Sequence, residues 1–268
     1  MANSESATAL LTAINLNRFD EIVARHTPDV EFRSFRGPAL SNSIAVGDWH
    51  RDFLAHYADC TYEDAELFDD GETVCIHANI AAKGYDWRPF TQPALEVMDF
   101  RDERVASRRL YGMLRDLELG KAETAALKAA KEYPGAKARA TKKVVKAFYT
   151  ALLEGDDEAA IEQLDESAAF IDAVYGIANG PKEILELLKA IPAPAFGQLR
   201  VTNLYAGTKD AVVEQAIEPS RPRSADWVRI LEGKIKVIER FWMLREIGLN
   251  PFEEYSRDRH QKPAVPPI

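Results

Sequence analysis

The feature that most restricts the fold of this chain is an internal repeat. The segment EVMDFRDERVASRRLYGMLRDLEL from Glu96 lies without a gap over DWVRILEGKIKVIERFWMLREIGL from Asp226. Met113, Leu114, Arg115 and Leu119 coincide with Met243, Leu244, Arg245 and Leu249, and both segments alternate apolar and polar residues around a charged break. That alternation on either side of Arg101-Asp102-Glu103-Arg104 and of Glu232-Gly233-Lys234 predicts two hairpins of one design. With 268 residues, the chain has room for two domains of roughly 100–150 residues each.

The front halves repeat as well. NRFDEIVARHTPDVEF, ending at Phe32, lies over GDDEAAIEQLDESAAF, ending at Phe170, and each reads as a short helix running into a strand. In the second copy Val144, Val145, Phe148, Leu152 and Leu153 recur at helical spacing after Thr141 as a cap, and Asp156 caps a second helix carrying Ala160, Ile161 and Leu164. In the first copy Ala7 to Leu16 and then Phe19, Ile22 and Val23 take these parts. A third helix follows in each, Ile44 to Tyr57 and Pro181 to Ile191, the latter with proline suited to a first turn. Four strands then follow, near 60–68, 73–83, 93–101 and 104–115 in the first copy and near 197–206, 210–218, 224–231 and 234–245 in the second. The expected division is a domain over 1–118, a charged helical linker over 119–140, a second domain over 141–249 and a Pro-rich tail over 250–268.

A net charge of −9 argues against nucleic acid as a partner, because neutralising phosphates takes clustered Lys and Arg. Cys60 and Cys75 lack the paired spacing of a zinc site and read as buried thiols. Asp48, His50, Asp52 and His56 share one predicted helix, but only residues four apart face together, so this reads as a solvated face and no metal is expected. No glycine-rich nucleotide pattern and no nucleophile elbow is present, so no cofactor is expected. The start of the chain has no signal-like apolar run and no stretch is long enough to span a bilayer, which predicts a cytoplasmic protein without a membrane partner.

Three helices followed by strands that end in two long ones around a tight charged turn resemble the nuclear transport factor 2-like superfamily, which includes SnoaL-like cyclases and ketosteroid isomerases. The resemblance covers residues 5–118 and 141–249. It implies an α+β fold of two tandem cone-shaped domains, each a curved antiparallel sheet wrapped around about three helices, with an apolar pocket at the open end. Asp172, in AFIDAVYG, falls where ketosteroid isomerases carry their general base, Asp226 where they carry a protonated aspartate that donates to an oxyanion, and Trp242 on a pocket-lining aromatic. Phe148 stands where they carry an oxyanion-hole tyrosine, with Tyr149 about a hundred degrees further round the helix. That departure argues against steroid isomerisation. Tandem polyether epoxide hydrolases and limonene-type epoxide hydrolases are similar in part: Glu63 offers a possible counterpart to the second acid of the former, and Leu244 to Glu246 matches an ending of the latter, yet Arg240 occupies one of their aspartate positions.

Independently of that resemblance, Asp226 alternates with Val228 and Ile230, and Asp172 with Phe170, so both carboxyls share a strand face with core residues. Ile238, Arg240 and Trp242 share a face of the last strand, which lets Arg240 reach one of these acids. The expected catalytic set is Asp172 as base, Asp226 as acid or hydrogen-bond donor and Arg240 holding an anionic or carbonyl group, with Trp242, Phe148, Tyr149, Tyr175 and Ile238 contacting substrate. The other reading of the same residues is an Asp226–Arg240 ion pair that closes the cone. In the first copy Ser34, Leu110 and Gly112 replace Asp172, Arg240 and Trp242, while Glu96, His77 and Arg108 form a secondary candidate set. The first domain therefore reads as scaffold or degenerate site.

The function expected is cofactor-independent acid–base chemistry, as an isomerase, cyclase or hydrolase, on a small apolar carbonyl or epoxide compound in secondary metabolism. The alternative is a noncatalytic small-ligand-binding or dimerisation module. Its sheet faces would be covered by domain–domain pairing within the chain or by a homodimer.

Overall fold

Both expected hairpins form, and each turns through two residues of left-handed backbone. In the computed structural model β4 (Pro89–Arg101) and β5 (Arg104–Gly112) join through Asp102 and Glu103 at φ of 52° and 63°. Strands β10 (Pro222–Leu231) and β11 (Lys234–Trp242) join through Glu232 and Gly233 at 50° and 80°. Two successive positive φ angles give the mirror-image turn whose twist matches that of the strands it connects. The structure describes residues 3–83, 89–113, 128, 135, 137–172, 174–191, 200–217 and 222–247. They divide into two units, one within Met1–Arg115 together with Met243–Ile268, the other within Asp116–Trp242.

The first unit runs α1 (Asn3–Asn15), α2 (Phe19–Ala24), β1 (His26–Ser34), α3 (Ser43–His56), β2 (Ala58–Asp70), β3 (Thr73–Lys83), β4 and β5. Strands β2 to β5 form an antiparallel meander, and β1 adds to β5 in parallel. The helices present apolar residues at helical spacing, including Leu10, Ile14, Ile22 and Val46, and these are buried together with the sheet residues Val30, Phe32, Val74, Ile76 and Val97. Asn42 caps α3, accepting from the Ala45 amide at 2.8 Å.

The second unit repeats this plan. It runs α4 (Ala138–Glu154), α5 (Asp157–Gln163), β6 (Leu164–Asp172), β7 (Gly176–Asn179), α6 (Pro181–Ala190), β8 (Arg200–Ala206), β9 (Asp210–Ala216), β10 and β11. Strands β8 to β11 are an antiparallel meander and β6 adds in parallel to β11, as β1 does to β5. The short β7 hairpins back on β6, where the first unit has only the isolated bridge between Phe32 and Leu40. Val145, Phe148 and Ala151 of α4 pack into a core with Phe170, Ile184, Val213, Val228, Ile230 and Ile238. The fold is α+β, and each unit is a curved sheet around three helices.

Some boundaries differ from expectation. Helix α4 starts before Thr141, which lies inside it and donates its hydroxyl to the Thr208 carbonyl at 3.0 Å rather than capping. Asp156 does cap α5, accepting from the Ala159 amide at 3.0 Å. The expected linker lies mostly outside the described residues, its last few belonging to α4, and the tail from 250 lies wholly outside them. Among the described residues no helix is long and apolar enough to cross a membrane.

Gly112 and Trp242 end their respective last strands, and the difference between them is filled by a neighbour. A Cβ placed on Gly112 would come within 2.8 Å of the buried Phe35 ring. Phe35 thus occupies in the first unit the volume beside the strand end. Gly112→Ala is expected to destabilise by about 1–3 kcal/mol in urea unfolding, the range for overpacking a filled core. Adding Phe35→Leu should recover part of that loss.

Candidate functional site

In the second unit β10 and β11 set Asp226 directly opposite Arg240, both on the face that α4 covers. Arg240 forks onto the acid, Nε to Oδ1 and Nη2 to Oδ2, each at 2.7 Å. Tyr149 of α4 donates its hydroxyl to Oδ2, and Gln215 of β9 donates its amide to the same oxygen at 2.7 Å. The guanidinium also lies over Phe170 at 5.1 Å and Trp242 at 5.7 Å. Asp226 thus receives from four donors, the ion-paired arrangement that the second reading of these residues expects. Tyr149 is likewise bound to Asp226 rather than presented to a substrate. Burial and then the Asp226 charge raise its phenol well above the usual tyrosine range.

Asp172 ends β6 across from Arg240 in the parallel ladder and is fully buried. Its Oδ1 accepts from Trp242 Nε1 at 3.0 Å and from the backbone N–H of Val174 at 2.8 Å and of Tyr175 at 3.2 Å. Its Oδ2 is buried and has no hydrogen-bond partner among the described residues. Burial raises this carboxyl above the ordinary aspartate range, opposed by the Arg240 charge, the Trp242 N–H and the two backbone N–H groups. The half-buried Tyr175 ring meets Trp242 edge-on at 5.9 Å. Phe148 and Ile238 belong to the core under this site. The structure therefore brings Asp172, Trp242, Arg240 and Asp226 together. One carboxyl is fully engaged and the other keeps one oxygen unengaged.

The first unit holds a parallel arrangement with the cation moved. Glu96 lies opposite Leu110, the equivalent of Arg240, and the guanidinium comes from Arg108, two residues earlier on the same strand face. Arg108 nevertheless forks onto Glu96, Nε to Oε2 at 3.0 Å and Nη2 to Oε1 at 2.7 Å, and lies over Phe32 at 5.0 Å. Tyr62 of β2 donates to Glu96 Oε1 at 2.5 Å, which is the part Tyr149 plays from a helix in the other unit. Arg108 Nη1 reaches His50 Nε2 at 2.7 Å. Since a guanidinium only donates, His50 carries its proton on Nδ1. His50 is held well below the usual histidine range by burial and by Arg108, and His26 is lowered to about 4 by the same two causes.

His50 is therefore buried rather than on a solvated face, which corrects that expectation, whereas Asp48 of the same helix is exposed and paired with Arg51 at 2.6 Å. The His56 side chain lies outside the described residues. Among the described residues no three His, Cys, Asp or Glu side chains converge as metal ligands. His77 does not join Glu96: Ile76 is the residue opposite Glu96, so His77 points to the other sheet face. Tyr62, His50 and Gln215 were not among the residues picked out for the site by sequence. Tyr62 and Gln215 reach their acids, and His50 reaches Arg108, across element boundaries, and periodicity carries no signal of that.

Two outcomes follow for stability. Arg108→Met leaves Glu96 buried without its cation and should cost about 3–5 kcal/mol in urea unfolding, most of it recovered in the Arg108→Met, Glu96→Gln double variant. Asp172 behaves oppositely to a salt-bridged acid. Its raised native pKa means that the folded state holds the proton more tightly than the unfolded chain. Its penalty is absent below the ordinary carboxyl pKa and grows as pH rises through the native value. Asp172→Asn should therefore raise Tm at pH 7 by a few degrees, since about 1 kcal/mol moves Tm by about 2–4 °C at this size. The gain should vanish below about pH 3.5.

Residues 7–108 match the family described as SnoaL-like domain. No curated protein matches the chain. Solved structures with similar folds include a SnoaL-like polyketide cyclase from Agrobacterium tumefaciens, 15% identical over 42% of this chain and 91% of its own, with a TM-score of 0.37. An NTF2-like protein from Burkholderia pseudomallei is 17% identical over 42% of this chain and 92% of its own, at 0.39. A protein with a ketosteroid isomerase-like fold from Catenulispora acidiphila, in complex with trimethylamine, is 17% identical over 40% of this chain and 84% of its own, at 0.38.

Proposed function

We propose that the second unit is a cofactor-independent acid–base enzyme that moves a proton next to the carbonyl of a small apolar compound, as an isomerase or cyclase does. The observation that carries this reading is the state of Asp172: one oxygen fixed by Trp242 and two backbone N–H groups, the other buried without a partner. Burial makes such a carboxylate a stronger base than an exposed one, and the three donors on Oδ1 fix the direction in which Oδ2 acts. Asp172 takes a proton from the carbon beside the carbonyl, the electron pair of that bond passes to the carbonyl oxygen, and the proton returns to the same or a neighbouring carbon. Arg240 stays paired with Asp226 and supplies a fixed positive charge near the developing enolate.

The first unit reads as the noncatalytic partner. Ser34 stands where Asp172 would, its hydroxyl accepting from the Arg36 and Gly37 amides, and Phe35 fills the space beside Gly112.

Hydrogen–deuterium exchange at the methylene carbons of 2-indanone in D2O, followed by proton NMR, tests the reading. The protein should accelerate exchange over buffer, and Asp172→Asn should slow it by about 10²-fold or more, the usual contribution of a positioned base. Exchange at the buffer rate, or an Asp172→Asn variant as fast as the parent, would overturn it.

A further inference from the structure

A second orphaned polar atom lies on the same sheet face as Asp172. Ser224, near the start of β10, is fully buried, and its hydroxyl has no hydrogen-bond partner among the described residues. Its position in the sheet is unambiguous: Trp242 is its neighbour across β11 and Gln215 its neighbour across β9. The ladder runs without a shift from Ser224 to Asp226, so the two side chains, two residues apart, point to one face. Both lateral neighbours send their side chains to the site's carboxyls, Trp242 to Asp172 and Gln215 to Asp226. Ser224 is thus framed by the groups that hold the two acids.

Buried hydroxyls and carboxylates are almost always hydrogen-bonded, since an unmade bond in the interior costs a desolvation penalty with nothing in return. Two such atoms on one face, Asp172 Oδ2 and Ser224 Oγ, differ in what they offer. The carboxylate oxygen only accepts, whereas the hydroxyl donates or accepts. Together they suit a ligand with an acidic C–H or O–H at one end and an oxygen acceptor at the other, which is the pattern of a ketone or its enol.

Resting on the proton-transfer reading above, we propose that Ser224 is a further catalytic residue of the second unit, donating its hydroxyl hydrogen bond to the carbonyl oxygen of the bound compound while Asp172 Oδ2 faces the neighbouring carbon. The hydroxyl strengthens that bond as negative charge collects on the oxygen, while the Asp226–Arg240 pair beside it stays intact, Arg240 Nε and Nη2 being committed to Asp226.

The test uses the full chain with 2-indanone and two readouts, the exchange rate and the infrared carbonyl stretch of the bound, carbonyl-¹³C-labelled ketone. Ser224→Ala should slow exchange by about tenfold to a hundredfold, toward the effect of losing one oxyanion donor. It should also return the carbonyl stretch to its value in an apolar solvent, while Ser224→Thr, which keeps the hydroxyl, retains the lowered frequency. Asp172→Asn should abolish exchange yet leave the stretch lowered. If Asp172→Asn loses exchange but Ser224→Ala matches the parent in both rate and stretch, the Ser224 assignment is overturned and Asp172 stands, with the hydroxyl serving water alone. If no variant changes the exchange but Ser224→Ala restores the stretch, Ser224 holds the carbonyl and the base has been misassigned. Circular dichroism melts of each variant separate these outcomes from loss of folding.

Discussion

A guanidinium lies buried against a carboxylate in each unit, and much of what surrounds it makes that burial tolerable. Taking either ion out of water is costly, and their mutual attraction offsets the cost only when the remaining donors and lone pairs are satisfied. Both units meet this condition in the same way: a forked contact, a tyrosine hydroxyl on one carboxylate oxygen, and an aromatic ring beneath the cation. The rings are Phe32 and Phe170, which coincide when the two halves of the sequence are laid over one another. The pair thereby ties the last hairpin to the first strand and to a third element, α4 in one unit and β2 in the other.

Around this shared centre the units diverge in what they leave available. The first unit adds His50 to the guanidinium and places Ser34 and Phe35 at the end of β1. The second unit completes Asp226 with Gln215 and then sets Asp172 and Ser224 nearby with unsatisfied oxygens. An interior that tolerates unmade hydrogen bonds gives up stability for them, and such sites concentrate where a protein meets a ligand. The asymmetry between the halves lies at the end of the first strand, where the first unit has a serine that accepts from two backbone N–H groups and the second a carboxyl with one unengaged oxygen.

The fold was legible in the sequence because it rests on periodicity. Alternation placed Asp226 with Val228 and Ile230, helical spacing placed Val145 with Phe148, and the proline at the start of α6 and the acid at Asp156 marked helix starts. What periodicity gives is the face on which a residue lies, and it says nothing of how far a side chain reaches. Tyr149 lies about a hundred degrees round the helix from Phe148, yet its phenol is long enough to reach Asp226. Arg108 and Arg240 differ by two places in register and reach equivalent acids, because a long flexible arm makes a strand position approximate. His50 looked solvated since its helix neighbours are charged, and only the packing of α3 on β1 and β5 buries it. Ser224 carried a weak signal, its alternation with Asp226, but a serine on a strand has no chemistry of its own until its neighbours are known.

The Phe35 ring against Gly112 couples two positions of the first unit. A larger residue at position 112 meets that ring unless Phe35 shrinks at the same time. Reshaping the first unit toward the second at this strand end therefore takes a paired change, at Phe35 and at Gly112 together, and a graft of the last strand alone would carry the clash with it.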